Sequence, residues 1–239
     1  MVKRVFDIVM ALAGLVLLSP LLFVTAILIK LDSAGPIFFR QERMGKGFHP
    51  FFIFKFRTMV EGASYKGGSI TFGGDPRITR VGQLLRKTKV DELPQLINVL
   101  KGDMSLVGPR PEVCQFVELF RRDYEEILRI RPGITDLASL KYRDEAHVLG
   151  KAENAEEEYI QHILPDKIRL AKEYLQRSSF FFDLRLIFKT LFSLFAQTSE
   201  LKQTHGTQSL HNSISLTQTT GVQPTMANPD SSSHDHLNA

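Results

Sequence analysis

Two adjacent carboxylates, Asp91 and Glu92, and one arginine held between prolines, Arg110, are the residues of this 239-residue chain whose types and spacing best suit chemistry. A carboxylate can serve as nucleophile, general base or metal ligand. A guanidinium fixed in Gly108-Pro109-Arg110-Pro111 offers a rigid fork to a phosphate. Together they suggest work on a phosphate. Acidic residues ahead of a helix also favour its dipole, so the pair alone leaves a structural role open. Lys55 and Arg57 stand two apart in an extended run and would share one face of a strand, where two cations could clamp a diphosphate. A solvated strand edge fits them as well. Arg129 and Arg131 add cations near the turn Pro132-Gly133.

The elements that must position these residues can be read from periodicity. Leu93, Leu96, Ile97 and Leu100 make an apolar helix face just after the carboxylates. Pro94 suits the first turn of that helix and Gly102 its end. Residues 77–89 form a basic amphipathic helix, with Val81, Leu84 and Leu85 against Arg80, Arg86, Lys87 and Lys89. Its basic face suits anionic lipid or plain solvent equally. Residues 50–59 read as a strand. Glu61 to Asp75, with five glycines, reads as a mobile loop without P-loop order. Residues 112–130 read as one helix. Residues 155–175 read as helix broken or restarted at Pro165, and Phe180–Phe195 as an apolar helix, buried or interfacial, with its phenylalanines favouring the membrane surface.

The N-terminal segment limits where the site can be. Between Asp7 and Lys30 lie 22 uncharged residues, enough to cross a bilayer as a helix. No small-x-small cleavage site follows, so a removed signal peptide does not fit. Ser19-Pro20 sits near the middle, where Pro20 removes an N–H and crowds the Val16 carbonyl. A kink is expected there, with the Ser19 hydroxyl available to a freed carbonyl. Lys3 and Arg4 precede the segment, and Lys30, Arg40, Arg43 and Lys46 follow it. Positive flanks on both sides favour a segment that enters and leaves by the same leaflet. On these grounds a re-entrant hairpin and a straight span stand about even.

Composition narrows the partners. The net charge is +4; Glu200, Asp230 and Asp235 against Lys202 leave the tail at −2 and the first 199 residues at +6. No nucleic-acid module or aromatic-interleaved basic motif accompanies that charge. An anionic membrane and a phosphorylated substrate fit it better. A single cysteine, Cys114, excludes an internal disulfide and a CxxC metal site. Residues 200–239 are polar with no apolar period and are expected to be disordered; metal binding by their histidines, or catalysis by His162, has little to support it.

Several blocks in order resemble the bacterial sugar transferases, the monotopic polyprenyl-phosphate phosphoglycosyl transferases, over roughly residues 1–195. They are Lys3-Arg-Val-Phe-Asp7, the apolar segment with Ser19-Pro20, Gly35-Pro-Ile-Phe-Phe-Arg-Gln-Glu-Arg43, Phe54-Lys-Phe-Arg-Thr-Met59, the run from Asp91 to Pro111, and Arg131-Pro-Gly-Ile-Thr135. The resemblance implies a re-entrant helix–break–helix at the bacterial inner membrane. It also implies Mg²⁺-dependent transfer of a sugar-1-phosphate from a UDP-sugar to undecaprenyl phosphate on the cytoplasmic face. In that scheme Asp91 attacks the β-phosphate, UMP leaves, and a phosphosugar–aspartyl intermediate passes to the lipid. Asp91 and Glu92 would be catalytic and hold the metal; Lys55, Arg57, Arg110, Arg131 and Arg143 would contact phosphate or substrate. After Thr135 many members continue Gly-Trp-Ala-Gln-Val-Asn-Gly-Arg; here Asp136-Leu-Ala-Ser-Leu-Lys-Tyr-Arg143 keeps the arginine's spacing but lacks the Trp, the Gln and the second Gly, which leaves sugar and base preference open. With no modifying domain ahead of the apolar segment, the chain is expected to be the family's minimal form.

The expected fold is mainly α with a small β component (α+β). Residues 1–34 form the re-entrant membrane helix, 35–199 a compact cytoplasmic catalytic domain with interfacial helices, and 200–239 the tail. A homodimer remains an open assembly. A membrane-bound aspartyl-phosphate hydrolase and a non-catalytic membrane-anchored assembly module are the competing functions.

Overall fold

The first helix, α1 (Val2–Asp32), is uninterrupted through Pro20. The expected helix–break–helix therefore contains no break in helical backbone at Ser19-Pro20. In an ordinary helix the Val16 carbonyl would accept from the amide of residue 20, which proline lacks. Ser19 Oγ donates to that carbonyl at 2.7 Å, so the lost bond is replaced in place. The computed structural model describes residues 1–63, 71 and 74–194. Most of the glycine-rich run, the segment beyond 194 and the polar tail lie outside the described residues.

A narrow stripe of α1 packs inward through Asp7, Ala11, Thr25 and Ile29, while Leu17, Phe23 and Leu31 on other faces are about 70–80% exposed. By length and composition the helix could cross a membrane. Both of its ends are bonded to one and the same protein body. At the start, Lys3 Nζ donates to the Val107 carbonyl (3.0 Å) and pairs with Asp183. Arg4 donates to the Val99 carbonyl (2.7 Å), and buried Asp7 accepts from Ser105 Oγ (2.8 Å) and the Leu106 amide (3.2 Å). At the far end, Asp32 accepts from the Val81 amide (3.1 Å), and Arg57 donates to the carbonyls of Ile29, Ser33 and Ala34.

An antiparallel hairpin follows, β1 (Phe38–Met44) with β2 (Pro50–Phe56), in register from Phe38 opposite Phe56 to Met44 opposite Pro50. Then come α2 (Arg80–Thr88), capped by Thr79 Oγ1 on the Gly82 amide (3.0 Å), and α3 (Gln95–Lys101), ended by left-handed Gly102 as its sequence predicts. A short parallel pair joins β3 (Ser105–Val107) to β4 (Gly133–Thr135). Its strands lead into Gly108 and out of Gly133, and a Cβ on Gly133 would stand 2.1 Å from the Gly108 amide nitrogen. Only glycine permits that approach.

Between these strands, the helix expected over 112–130 is two helices, α4 (Cys114–Leu119) and α5 (Arg121–Ile127), because Phe120 adopts φ −117°, ψ 33° between them. Phe120 packs against the core built by Phe116, Tyr124 and Leu128, so tertiary packing overrides helical continuity. After α6 (Leu137–Lys141), α7 (Glu145–Leu149) and α8 (Ala155–Glu158), a wide π-turn at Tyr159–Ile163 absorbs Pro165, which starts α9 (Leu164–Arg177). Residues 180–194 form the described part of a last helix, α10. It is buried at Asp183 and Leu186, as a packed helix requires, and exposed at Phe181, Phe188 and Phe192 on another face.

Candidate active site

Asp91 and Glu92 lie in a 3₁₀ turn, Val90–Glu92, between α2 and α3. Lys89 turns the chain into it with a left-handed φ of 58°, an uncommon conformation for a residue with a Cβ. The two carboxylates have opposite environments. Glu92 accepts from Lys55 Nζ (3.0 Å) and from both terminal nitrogens of Arg110, one at 3.0 Å. Burial alone would push its pKa up, but Arg110 and Lys55 outweigh burial and hold Glu92 well below the usual carboxylate range. Asp91 is 7% exposed, and its Oδ1 has no hydrogen-bond partner. Burial first, then the neighbouring Glu92 charge, pushes its pKa up to about 6 against the pull of Lys55, Lys89 and Arg86. One carboxylate is neutralised and fixed; the other stays ionisable, with an unpaired oxygen.

Supporting elements fix this geometry. Asn98 on α3 bridges to β2, with its Oδ1 accepting from the Phe54 amide (2.9 Å) and its Nδ2 donating to the Phe52 carbonyl (2.8 Å). That sets Lys55, the next residue of β2, against Glu92. Burial lowers the Lys55 pKa although Glu92 opposes it. Arg110 follows β3, and its amide donates to buried Asp136 Oδ2 (3.1 Å), whose Oδ1 accepts from the Ser139 amide (2.7 Å) at the start of α6. Glu92 raises the Arg110 pKa further, so the guanidinium keeps its charge.

Of the residues singled out from sequence, Lys55, Asp91, Glu92 and Arg110 come together. Arg57 does not. It lies one residue past the end of β2, where its guanidinium holds the last carbonyls of α1 instead of facing Glu92. Nor does Arg131, whose Nε donates to the Gly102 carbonyl at the end of α3 (2.7 Å). Both cations serve helix C-termini, whose last carbonyls lack partners. Arg143 lines the cavity described below and bonds to Ser193 of α10. Arg86 and Lys89, read from sequence only as a basic helix face, lie close enough to act on Asp91. Asn98 and Asp136 were not visible as site residues, because a lone amide or acid in a turn carries no spacing signal.

Beside Glu92 and Arg110 opens a cavity of about 420 Å³, walled by Lys89, Arg143, Tyr142, Glu145 and Lys167 among others. It falls in the range of small-molecule sites. Asp91 itself is not in its wall. The same wall carries Ser139, Tyr142 and Arg143, from the segment whose sequence departs from the bacterial sugar transferase pattern.

Among the described residues, no three His, Cys, Asp or Glu side chains gather into a metal cluster. Mg²⁺ is commonly held by one or two carboxylates plus phosphate oxygens and water. The unpaired Asp91 Oδ1 fits such a donor, whereas both Glu92 oxygens are engaged by cations.

A family model described as "Bacterial sugar transferase" matches residues 1–197. The chain is 43% identical over 195 residues to the UDP-N-acetylgalactosamine-undecaprenyl-phosphate N-acetylgalactosaminephosphotransferase of Aeromonas hydrophila, covering 80% of this chain and 43% of that protein. It is 38% identical over 199 residues to the UDP-glucose:undecaprenyl-phosphate glucose-1-phosphate transferase of Escherichia coli (strain K12), covering 82% and 40%. It is 39% identical over 201 residues to the exopolysaccharide production protein PSS of Rhizobium leguminosarum bv. phaseoli, covering 80% and 94%. The chain thus spans about two-fifths of the first two relatives and nearly all of the third.

Proposed function

The chain belongs to the bacterial sugar transferase family, and on that premise we propose that it transfers a sugar-1-phosphate from a UDP-sugar to undecaprenyl phosphate, releasing UMP. The product would begin a cell-surface glycan. The observation that carries this reading is the division of labour between Asp91 and Glu92. An Asp91 oxygen attacks the β-phosphorus of the UDP-sugar; the bond to the bridging oxygen breaks, and its electron pair leaves with UMP. An oxygen of undecaprenyl phosphate then attacks the same phosphorus and displaces Asp91. Splitting the transfer in this way replaces one difficult displacement by two easier ones. A pKa of about 6 leaves Asp91 ionised at neutral pH yet more basic than an ordinary aspartate.

Arg110 and Lys55, held ready on Glu92, supply positive charge beside the phosphates as the displacement proceeds. Asp91 would hold Mg²⁺ when the ion is bound, which would supply further positive charge to the transferring group. Glu92 keeps the two cations in place and is not itself committed to the metal.

We read α1 as monotopic, entering and leaving the cytoplasmic leaflet of the inner membrane. Support comes from its two ends: Lys3, Arg4 and Asp7 bond to the same body as Asp32. A straight span would hold those ends on opposite sides of the bilayer. The exposed apolar faces of α1 and the Phe181, Phe188 and Phe192 face of α10 are then covered by lipid.

The test incubates the purified chain, Mg²⁺ and undecaprenyl phosphate with radiolabelled UDP-glucose and UDP-N-acetylhexosamines. Label is expected in the organic phase with UMP as the released nucleotide. Release of UDP would refute sugar-phosphate transfer.

A further inference from the structure

Glu145 of α7 and Lys167 of α9 form an ion pair at 2.5 Å in the wall of the cavity beside Arg110, and both side chains remain partly open, at 29% and 16% exposure. The Tyr159 ring lies 4.7 Å from the Lys167 ammonium and the Tyr142 ring 6.0 Å. Tyr142 is fixed by its hydroxyl donating to Asp166 Oδ2 (2.7 Å). The nucleophile and its cations do not use this pair. Arg110, Glu145 and Lys167 line the same cavity, so a group attached to a phosphate at Arg110 would enter the space that the pair walls.

A carboxylate accepts hydrogen bonds only and an ammonium donates only. Set side by side, they suit two neighbouring ring substituents, a hydroxyl that donates and a hydroxyl or acetamido oxygen that accepts. Matching both depends on configuration at two carbons. Tyr142 brings an aromatic ring beside the pair, with the Lys141 ammonium 5.4 Å from the ring's centre. We propose that the Glu145–Lys167 pair, flanked by Tyr142, selects the hexose of the sugar nucleotide. The proposal rests on the transfer reaction above and deepens it. The hexose stays on the transferred phosphate through both half-reactions, whereas UMP departs after the first. A sugar-reading pair therefore acts on donor choice and leaves affinity for UMP unchanged.

The experiment measures kcat/KM for UDP-glucose, UDP-N-acetylglucosamine and UDP-N-acetylgalactosamine with the full-length chain and its Glu145→Gln and Lys167→Met variants. The ratio between donors is independent of how much of each preparation is folded. Losing one hydrogen bond to a charged group should change that ratio by roughly 10- to 100-fold. Inhibition by UMP should stay within about threefold, since UMP lacks the hexose. Glu145→Asp and Lys167→Arg, which keep the ion pair, should restore most of the original preference. Unchanged ratios in both primary variants would overturn the inference and leave the transfer reaction standing, with the pair merely joining α7 to α9. Parallel weakening of all donors and of UMP would overturn it too, by assigning the pair to the nucleotide. No transfer from any UDP-sugar by the unaltered chain would instead overturn the transfer reaction, and the inference with it.

Discussion

Asp91→Asn should stabilise this protein while abolishing its turnover, and the size of the gain follows from the environment of the carboxylate. Folded Asp91 holds its proton up to about pH 6, against an ordinary 3.8 in the unfolded chain. The folded state therefore binds more protons between those values, and the wild type loses stability as pH rises through that window. Above about pH 7 the loss is complete and amounts to roughly 3 kcal/mol, from 1.36 kcal/mol per tenfold change in acidity. Asparagine has nearly the same shape and carries no charge to desolvate, so the variant escapes the penalty. The stability gap should be roughly 3 kcal/mol at pH 8, about 1 kcal/mol at pH 4.5, and negligible below about pH 3. For a chain of this size the pH 8 figure corresponds to a rise in Tm on the order of 10 °C. Denaturant unfolding in mild detergent with EDTA, at pH 4.5 and 8, measures the gap without a metal to offset the buried charge. A variant no more stable than wild type at pH 8, or a gap that does not narrow at pH 4.5, would refute the assignment of Asp91 as a destabilised, functionally retained carboxylate.

Glu92→Gln should act in the opposite sense. It leaves Lys55 and Arg110 without their anion and should cost about 3 kcal/mol in the same unfolding assay; a neutral result would mean the pair is solvated rather than held. Lys55→Ala should raise the KM for the UDP-sugar at least about tenfold, whereas Arg57→Ala should lower stability by a few kcal/mol and leave that KM near wild type, since Arg57 binds the carbonyls at the end of α1. Equal effects of the two on KM would return Arg57 to the substrate site. Ser19→Ala with Pro20→Ala restores an ordinary helical hydrogen bond at Val16. Cysteines placed near Lys3 and Lys46 should label from one side of the membrane in the parent and from opposite sides in a fraction of this variant. Same-side labelling of both, unchanged, would show that re-entry does not depend on the proline.

The sequence made the chemistry legible where residue types and order coincide. The run from Asp91 to Pro111 identified the dyad, the helix behind it, its glycine stop and the arginine, and all of these are found in place. Lys55 was legible because a cation on a strand must face something, and Glu92 is what it faces. Arg57 and Arg131 are placed on helix-terminal carbonyls, which sequence could not foresee: a guanidinium makes the same donor fork to a helix's last carbonyls as to a phosphate, and sequence does not say which acceptor is near. Phe120 was invisible as a helix boundary because nothing local stops a helix there; its packing does. Asp7 and Asp136 gain their roles from partners 98 and 26 residues away, beyond any local pattern. The mainly helical fold with a few strands was legible because apolar periodicity marks most of its helices and the β-formers of residues 50–56 its main hairpin, whereas the expected break at Ser19-Pro20 is absent from α1.

The most direct test of the account omits the lipid acceptor. Mixing the purified chain with Mg²⁺ and a UDP-sugar labelled in its β-phosphate should give a burst of UMP stoichiometric with enzyme. The label should remain on the protein after acid quenching and be discharged when undecaprenyl phosphate is added. Asp91→Asn should give neither burst nor labelled protein. Release of UMP only after the lipid is supplied, or label retained by Asp91→Asn, would contradict a phosphosugar–aspartyl intermediate on Asp91.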